Sequence, residues 1–255
     1  MRRLWERLRQ GYRTIDFPKG PSELAPQFRG RPALHPSLCR AGCRDCADAC
    51  PTAAIKTDPL RLDLGACLFC PACAEACDQS AISFTNDFRL AARTRSDLVF
   101  SGSAMTLATA LDRKMRKIFG RSLKLRQVSA GGCNACEADL NVTGIVVYDI
   151  GRFGIQFVAS PRHADGIVVT GPVTANMALA LRETLAAVPE PKLVIAAGAC
   201  AISGGPFVGS STCGDGVPAD IPVDLYLPGC PPHPLTILDG LLRLIGRIED
   251  GTRKP

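Results

Sequence analysis

Two runs of cysteines that nearly copy each other constrain this chain more than any other feature of its sequence. The runs are Cys39-x3-Cys43-x2-Cys46-x3-Cys50 and Cys67-x2-Cys70-x2-Cys73-x3-Cys77. The copy extends beyond the thiols, because CADACPTAAI aligns with CAEACDQSAI, so a whole structural unit is duplicated. Three thiols in one tight loop and a fourth from farther away suit the corners of an iron–sulfur cube, whereas zinc loops usually supply ligands in pairs. The pattern predicts bound iron–sulfur clusters and electron transfer.

Residues 36–85 resemble the bacterial ferredoxins that carry two clusters. In that family the fourth cysteine of each run ligates the other cluster. The resemblance therefore implies one [4Fe–4S] cluster held by Cys39, Cys43, Cys46 and Cys77. It implies a second cluster held by Cys67, Cys70, Cys73 and Cys50.

The chain departs from the ferredoxin pattern in two places. The first run has one additional residue between its first two cysteines, so the loop Arg40-Ala41-Gly42 must bulge, and Gly42 can help. Asp78 stands after the second run where proline is common, which loosens a turn but removes no ligand.

Disulfides and zinc ribbons are the other uses of so many cysteines. Disulfides are disfavoured because the start, MRRLWERLRQ, is charged and lacks the apolar segment of a signal peptide. A chain of 255 residues can also build a core without disulfide bonds. Zinc ribbons are disfavoured because the duplicated spacing between cysteines is not typical of zinc ribbons.

Composition predicts a soluble, globular protein of about two domains. No stretch approaches the roughly twenty uncharged residues that a membrane-spanning helix needs. One tryptophan and three tyrosines argue against a surface that stacks nucleic-acid bases, despite the formal charge of +6. The positive charge is concentrated in the first twenty residues and between Arg113 and Arg126.

The two basic segments flank the cysteine runs. Leu4, Trp5, Leu8 and Tyr12 predict an amphipathic helix over residues 2–12, followed by an extended arm from Pro18 to Pro36 that we expect to cross a partner surface. Apolar residues at helical spacing predict a second basic helix that ends near Gly120; they are Met105, Leu107, Leu111, Met115 and Ile118. Each helix is either a solvated surface or a docking site for acidic subunits or anionic lipids. The predicted divisions are a helix and arm over 1–35, a ferredoxin-like domain over 36–86, a basic linker helix over 87–121 and a last domain over 122–255.

The last domain alternates short apolar runs with helical stretches. Buried strands are expected at Phe153–Ala159, Gly166–Thr170, Leu193–Ala197 and Val223–Leu227, and helices at Ala175–Val188 and Pro234–Glu249. Such alternation predicts an α/β doubly wound parallel sheet, in which sites form beyond the carboxyl ends of the strands.

Four more cysteines occupy loops at those carboxyl ends. Cys133 and Cys136 follow the first strand, Cys200 follows LVIAAGA, and Cys230 follows VDLYLPG. The loops should converge, so we predict a third [4Fe–4S] cluster there. Buried structural cysteines are the other interpretation. Cys213 is expected to be a thiol without a ligand role.

From about residue 122 to residue 249 the chain resembles the small-subunit family shared by [NiFe]-hydrogenases and by the 20 kDa subunit of respiratory complex I. The matching motifs are GGCNACEADL, FGIQFVASPRHADGIVVTGPVT, LVIAAGACAISGG and DLYLPGCPPHPLTILDGLL. The resemblance implies a flavodoxin-like fold with one cluster beside a large subunit. Complex I members have adjacent cysteines in the first motif and hydrogenases have two residues between them, so Cys133-x2-Cys136 favours the energy-converting, membrane-associated hydrogenases. Glu137 matches the glutamate that relays protons in hydrogenases, so the resemblance implies the same role here. The other interpretation is a surface residue at a helix N-terminus.

The two resemblances imply an oxidoreductase subunit that relays electrons through three [4Fe–4S] clusters. Its expected partners are a [NiFe]-hydrogenase-type large subunit or its complex I homologue, membrane-arm subunits, and a formate or carbon monoxide dehydrogenase or a soluble ferredoxin; no nucleic acid is expected. We expect a cytoplasmic chain, peripheral on the inner face of the cell membrane through its partner subunits. The active site itself should lie on the large subunit, because only Cys213 remains for a nickel centre and no GxGxxG follows a strand.

Two other functions stay open on the sequence. One is a subunit of a complex I-like NADH or ferredoxin:quinone oxidoreductase, in which the third cluster reduces quinone. The other is a zinc scaffold that organises partners through its basic arms. His233, three residues after Cys230, either tunes that cluster or is an ordinary loop residue.

Overall fold

The cysteine-rich half of the chain forms short helices and strands around the two cysteine runs. The computed structural model describes residues 2–20, 22, 24–102 and 104–248. The elements of this half are α1 (Arg2–Gln10), β1 (Pro32–Leu34), α2 (Asp45–Asp48), β2 (Ile55–Thr57), β3 (Leu60–Asp63), α3 (Ala72–Glu75), β4 (Ile82–Phe84), β5 (Val99–Phe100) and α4 (Arg113–Phe119).

The sequence duplication is also a structural duplication. In each copy a short helix, α2 or α3, leads through a turn into a strand, β2 or β4, at the same spacing along the chain. The turn residues Ala53 and Ser80 both have left-handed backbone, with φ of 51° and 52°. β1 pairs with β4 and β2 pairs with β3, which pairs with β5, all antiparallel. The unit therefore extends from residue 32 to residue 100, beyond the predicted limits of 36 and 86.

The arm that follows α1 packs in part on this chain itself, while its residues 25–27 and 29 are exposed, and its crossing of a partner surface stays a prediction. Phe17 is buried, and its ring meets that of Phe88 edge to face at 5.9 Å between centroids. The backbone of Gly30 and Arg31 bonds to Thr85 and Asp87. Isolated aromatic residues and backbone bonds attach the arm, so no periodic apolar pattern marks this packing in the sequence.

The predicted basic linker helix is shorter than expected. Only Arg113–Phe119 is helical, and Asp112 begins it by accepting the backbone N–H groups of Lys114 and Met115 at 2.8 and 2.9 Å. Residues 104–112 form no helix, because their backbone bonds elsewhere: Ala108 N–H donates to Ala91 and Leu111 N–H to Leu244. A carboxylate cap of this kind fixes where a helix starts.

The second half of the chain forms a five-stranded parallel sheet with strand order β10-β9-β8-β6-β7. Its elements are β6 (Leu123–Ser129), α5 (Ala135–Val142), β7 (Ile155–Phe157), β8 (Gly166–Thr170), α6 (Ala175–Ala186), β9 (Leu193–Ala197), α7 (Ala199–Ser203), β10 (Leu225–Leu227) and α8 (Pro234–Leu244). Because all strands point the same way, the loops that follow them lie at one edge of the sheet.

Both faces of this sheet are covered. Along β8, Val168 packs into a core that includes Leu140 of α5 and Leu238 of α8, whereas Ile167 and Val169 pack into another that includes Leu181 of α6. Side chains alternate across a strand, so β8 is buried on both faces. This arrangement fits the predicted flavodoxin-like α/β fold.

The predicted bounds are correct for the central strands and too long at the periphery. Gly166–Thr170 and Leu193–Ala197 are strands as predicted. The expected strand Phe153–Ala159 is reduced to Ile155–Phe157, because Phe153 ends a 3-10 turn, and Val223–Leu227 is reduced to Leu225–Leu227. The expected helices end early, at Ala186 and at Leu244, and Glu249 lies outside the described residues.

The cysteine-rich unit is attached to the β10 edge of the parallel sheet. Ala92 and Tyr226 exchange backbone hydrogen bonds of 3.2 and 2.9 Å, which covers that edge strand. Ser203 Oγ donates to the carbonyl of Gly65 at 2.9 Å. Leu62 and Leu98 share a core with Ile202. The two cysteine regions are thereby held together by the chain's own packing.

Candidate iron–sulfur sites

The first group of cysteines contains three thiols of the first run and one of the second. Cys46 lies in α2 and is buried. Burial raises the pKa of its thiol, and the neighbouring groups Cys77, Cys39 and Cys43 raise it further. The structure thus brings together the four residues proposed for one cluster, including the crossover of Cys77.

The second group has the reciprocal composition. Burial raises the pKa of Cys67 to about 12, with further contributions from Cys73, Cys50 and Cys70. Burial also raises the pKa of Cys73 to about 11, where Cys70 and Cys50 add to it. Cys50 of the first run therefore lies with the three leading cysteines of the second run. The ligand roles of both groups remain predictions.

Backbone N–H groups point at three of these sulfur atoms. Ala54 donates to Cys50 Sγ and Ala81 to Cys77 Sγ, both at 3.3 Å and at equivalent positions of the two copies. Phe69 donates to Cys67 Sγ at 3.3 Å. Hydrogen bonds to ligand sulfurs are among the features that set the reduction potential of a cluster.

The residue before the second cysteine has the same backbone conformation in both runs. Gly42 has φ of 75°, and Phe69 at the equivalent position of the second run has φ of 55°, so both loops turn through left-handed backbone before the next cysteine. Asp78 forms an ion pair with Arg40 at 2.9 Å, which joins the ends of the two runs at an exposed position.

The third group assembles at the carboxyl edge of the parallel sheet. Cys133 follows β6, Cys136 is in α5, Cys200 is in α7 directly after β9, and Cys230 follows β10. Asn134 adopts left-handed backbone with φ of 71°, a conformation that asparagine tolerates, and it starts α5 between the first two cysteines. A Cβ atom at Gly198 would lie 2.5 Å from Cys136 Sγ, so only glycine lets this thiol reach its position.

The four thiols of the third group interact with one another. Burial raises the pKa of Cys136, and Glu137, Cys200, Cys230 and Cys133 raise it further. Burial raises the pKa of Cys200 to about 11, followed by contributions from Cys230 and Cys133. Cys133 and Cys230 are exposed, so the group opens onto the protein surface.

The three groups form a row. Cys46 of the first group contributes to the raised pKa of Cys73 in the second. Cys70 of the second group likewise contributes to the raised pKa of Cys230 in the third. A cavity of about 280 Å³ borders this second junction and is lined by Phe28, Phe69 and His233. The second group is therefore the middle member of the row.

Glu137 is buried, with 4% of its surface exposed, so its interpretation as a surface residue is wrong. Burial acts to raise the pKa of its carboxyl group, but hydrogen bonds from Ser129 and Thr170 outweigh burial and lower it. Both hydroxyls donate to Oε1 at 2.6 Å. Ser129 and Thr170 end β6 and β8 and are paired in the register of those strands. Neither residue was predicted from the motifs, although each is a hydroxyl at the carboxyl end of a strand.

The residues of each group fit a [4Fe–4S] cluster. Each group has four thiols, and no cysteine is used twice. Within the described residues no three His, Cys, Asp or Glu side chains are arranged to hold one metal ion. A cluster makes a different demand, because each of its four iron atoms takes its own thiolate. Thiols of raised pKa are protonated at neutral pH, so iron must displace their protons on binding.

The remaining candidates have structural surroundings of their own. All thirteen cysteines are free thiols, so the disulfide interpretation is wrong. Cys213 lies in a backbone bridge with Thr174. His233 caps α8 by accepting the N–H of Leu235 at Nδ1, 3.1 Å away, and a role in tuning a cluster stays a prediction. Its ring packs edge to face on Phe28 at 5.0 Å between centroids, and burial lowers its pKa.

A family model described as NADH ubiquinone oxidoreductase, 20 Kd subunit, matches residues 133–244. An NADH-quinone oxidoreductase subunit of Heliobacterium modesticaldum is 43% identical over 48% of this chain and 70% of its own length. A probable membrane-bound hydrogenase subunit of Pyrococcus furiosus is 39% identical over 52% of this chain and 79% of its own length. Formate hydrogenlyase subunit 7 of Escherichia coli is 41% identical over 51% of both chains. Among the helices that the structure describes, none has the length and apolarity to cross a bilayer.

Proposed function

The chain belongs to the 20 kDa subunit family of NADH ubiquinone oxidoreductase, a family of oxidoreductase subunits, and we propose that it is the electron-transfer subunit of a membrane-associated [NiFe]-hydrogenase. The enzyme would be of the formate-hydrogenlyase-like or energy-converting type. The first half of the chain would act as a ferredoxin-like unit fused to the small subunit.

The observation that carries this proposal is the row of three groups of four thiols. A bound [4Fe–4S] cluster supplies a centre that accepts and releases one electron. The chain's own packing supports this order, because Cys46 and Cys73 share one hydrophobic core and Phe69 and Cys230 line one cavity. A row of this kind suits a relay between two partners better than storage in isolated sites.

The two ends of the row differ in what they present to partners. At one end, Cys133 and Cys230 are exposed at the carboxyl edge of the sheet, where a [NiFe]-hydrogenase-type large subunit would dock. At the other end, Cys39 and Cys43 border a surface depression with Arg40 and Arg44. Both arginines are already ion-paired, Arg40 with Asp78 and Arg44 with Asp48. The partial exposure of Cys39 and Cys43 at this end, and not its charge, would therefore serve an electron partner such as a soluble ferredoxin or a subunit that delivers electrons from formate or carbon monoxide oxidation.

A second function remains a candidate because relatives of two kinds match this chain to similar degrees. In a complex I-like quinone reductase, the third group would hold the cluster that reduces quinone. The spacing Cys133-x2-Cys136 favours the hydrogenase, and the left-handed Asn134 shows how that spacing is accommodated. In either complex the chain would lie on the cytoplasmic face of the membrane and contact membrane-arm subunits through its partners.

Anaerobic reconstitution of the purified chain tests the number of sites. Three clusters require about twelve iron and twelve sulfide per chain. Saturation at about eight iron would show that the third group is empty, and zinc without sulfide would support the scaffold function instead.

Purification of the native complex separates the two redox functions. The proposal expects a large subunit with nickel bound and hydrogen evolution with a low-potential electron donor. Quinone reduction by a complex free of nickel would overturn the hydrogenase and leave the electron relay intact.

A further inference from the structure

Helix α1 turns its apolar side chains to solvent. Leu4, Trp5 and Leu8 each expose 72 or 73% of their surface, and Tyr12 just after the helix is fully exposed. At about 100° per residue these three helix residues share one face, roughly 100° wide. A helix that belongs to a protein's own core packs such a face inward. The face of α1 is therefore available to something outside this chain.

The side chains of α1 from Arg3 to Gln10 are all exposed, so the described residues of the chain bury neither face of the helix. Arg3, Glu6 and Arg7 line a shallow depression together with Thr14 and Val146. Thr14 Oγ1 donates to Val146 O at 2.8 Å, and Ile15 N–H donates to Val147 O at 2.9 Å. These bonds anchor Thr14 and Ile15, two to three residues after Tyr12 and the helix, to the protein, while the apolar side chains of α1 stay exposed.

The charges around the apolar face are almost all positive. On the helical wheel Arg7 lies on one side of it and Arg9 on the other, and Glu6 is the single acidic residue of α1. Arginines on both borders of an apolar face place cations where the headgroups of a lipid bilayer would lie. Tryptophan and tyrosine are the aromatic residues favoured at that interface.

The surroundings of α1 continue the same chemistry. Ile145 and Val146 are exposed beside its anchor. They precede β7, and α4 precedes β6, so both lie toward the amino edge of the sheet. The exposed basic residues of α4 and its end are Arg113, Lys114, Arg116, Lys117 and Arg121. This edge is opposite the edge that carries the third cysteine group.

We propose that the apolar face of α1 inserts directly into the headgroup region of an anionic lipid bilayer, with the basic residues near the amino edge of the sheet facing the same surface. The chain then contacts lipid itself and does not depend on partner subunits alone for attachment. Three features of α1 favour a lipid surface over an acidic groove of a protein. They are the arginines on both sides of the apolar face, the exposure of that face, and the aromatic residues Trp5 and Tyr12. The proposal is independent of which redox partner the cluster sites serve.

Vesicle flotation of the full-length reconstituted chain tests the proposal. The protein should bind vesicles of phosphatidylcholine with phosphatidylglycerol and bind pure phosphatidylcholine much more weakly. Trp5 is the chain's single tryptophan, so its emission should shift to shorter wavelength on binding and report α1 directly. Leu8→Glu should reduce the partition coefficient about tenfold or more, since it places a charge in the inserted face. Arg7→Gln should reduce it about fivefold.

Matched controls lie far from α1. Leu179→Glu changes a leucine of α6 that is 69% exposed, and Arg61→Gln neutralises an exposed arginine of β3; neither should alter vesicle binding. Unchanged iron content in each variant confirms the fold. Binding that leaves Trp5 emission unmoved, or that survives Leu8→Glu, would overturn the proposal. A wild-type chain that does not bind the anionic vesicles would also overturn it, and loss of assembly with a partner subunit in Leu8→Glu would then assign the helix to a protein groove.

Discussion

The two halves of this chain collect their cysteines in opposite ways. In the first half eight thiols come from two adjacent, duplicated loops, and Cys46, Cys67 and Cys73 are themselves part of the hydrophobic core. In the second half four thiols come from three loops distant in the chain, and the buried cores of the parallel sheet contain no cysteine among the described residues. In the first half, the candidate cluster ligands are therefore part of the hydrophobic core. In the second half, they lie in loops at the edge of a core that contains no cysteine among the described residues.

This difference predicts how strongly each half depends on its iron. The strands of the first half have two to four residues and its helices around the cysteines have four, so we expect metal binding to contribute to its folding. Strands β8 and β9 are buried along their whole length and need no such support.

Among the predicted changes, removal of iron should have the largest effect on hydrogen-exchange protection. It should also differ most between the two halves of the chain. We expect chelation to abolish amide protection from hydrogen exchange over α2, α3 and β2–β4, because their core loses the bonds that hold its thiols. Amides of β6, β8 and β9 should keep most of their protection. Hydrogen exchange measured by mass spectrometry resolves these segments, and an equal loss in both halves would refute the comparison.

Substitution of a single cysteine should distinguish the two cysteine groups of the first half. Cys50→Ser should disturb the cluster held by Cys67, Cys70 and Cys73, because Cys50 lies with those thiols and not with its sequence neighbours. Cys77→Ser is the reciprocal variant and should disturb the cluster of Cys39. Electron paramagnetic resonance of the two variants distinguishes the sites, and damage confined to each residue's own run would remove the crossover.

In the second half a buried carboxylate adjoins the third group, and its loss should affect turnover and not assembly. We predict that Glu137→Gln lowers hydrogen turnover about a hundredfold, the usual scale for a lost acid–base group, because the amide keeps its shape and its acceptor oxygen but relays no proton. Iron content and partner assembly should not change. Asp139→Asn makes the same chemical change on the same helix and should have a much smaller effect. Near wild-type turnover in assembled Glu137→Gln would exclude the relay.

The junction between the halves should be the site of the smallest effect. Ser203→Ala removes the hydrogen bond to Gly65 O and should cost about 1 kcal/mol in the free energy of unfolding. Hydrogen exchange should rise in the turn around Gly65. Ser101→Ala removes a bond of similar length, 2.7 Å to Leu60 O, within the first half, and should leave the junction unchanged. Equal effects of both variants at Gly65 would mean that Ser203 does not couple the halves.

Much of this architecture is readable from local patterns. Continuous apolar runs predict β8 and β9 with correct bounds, since a strand buried on both faces lacks the alternating polar residues of a strand with one exposed face. Apolar spacing also predicts a helix through residues 104–112, but tertiary hydrogen bonds to Ala91 and Leu244 hold that segment in another conformation. Periodicity reports what a segment can form in isolation, and long-range bonds decided what this segment does form.

The sequence by itself determined the ligand types, their spacing, the duplication and the order of the strands along the chain, because these are local properties. Only the tertiary structure decided that Phe69 and Cys230 line one cavity, that Ser129 and Thr170 converge on Glu137, and that α1 exposes its apolar face to solvent. Each of these results depends on the register of distant strands or on the anchoring of a segment far along the chain. Contacts of that kind follow from how preformed elements pack together, and no short stretch of sequence contains that information.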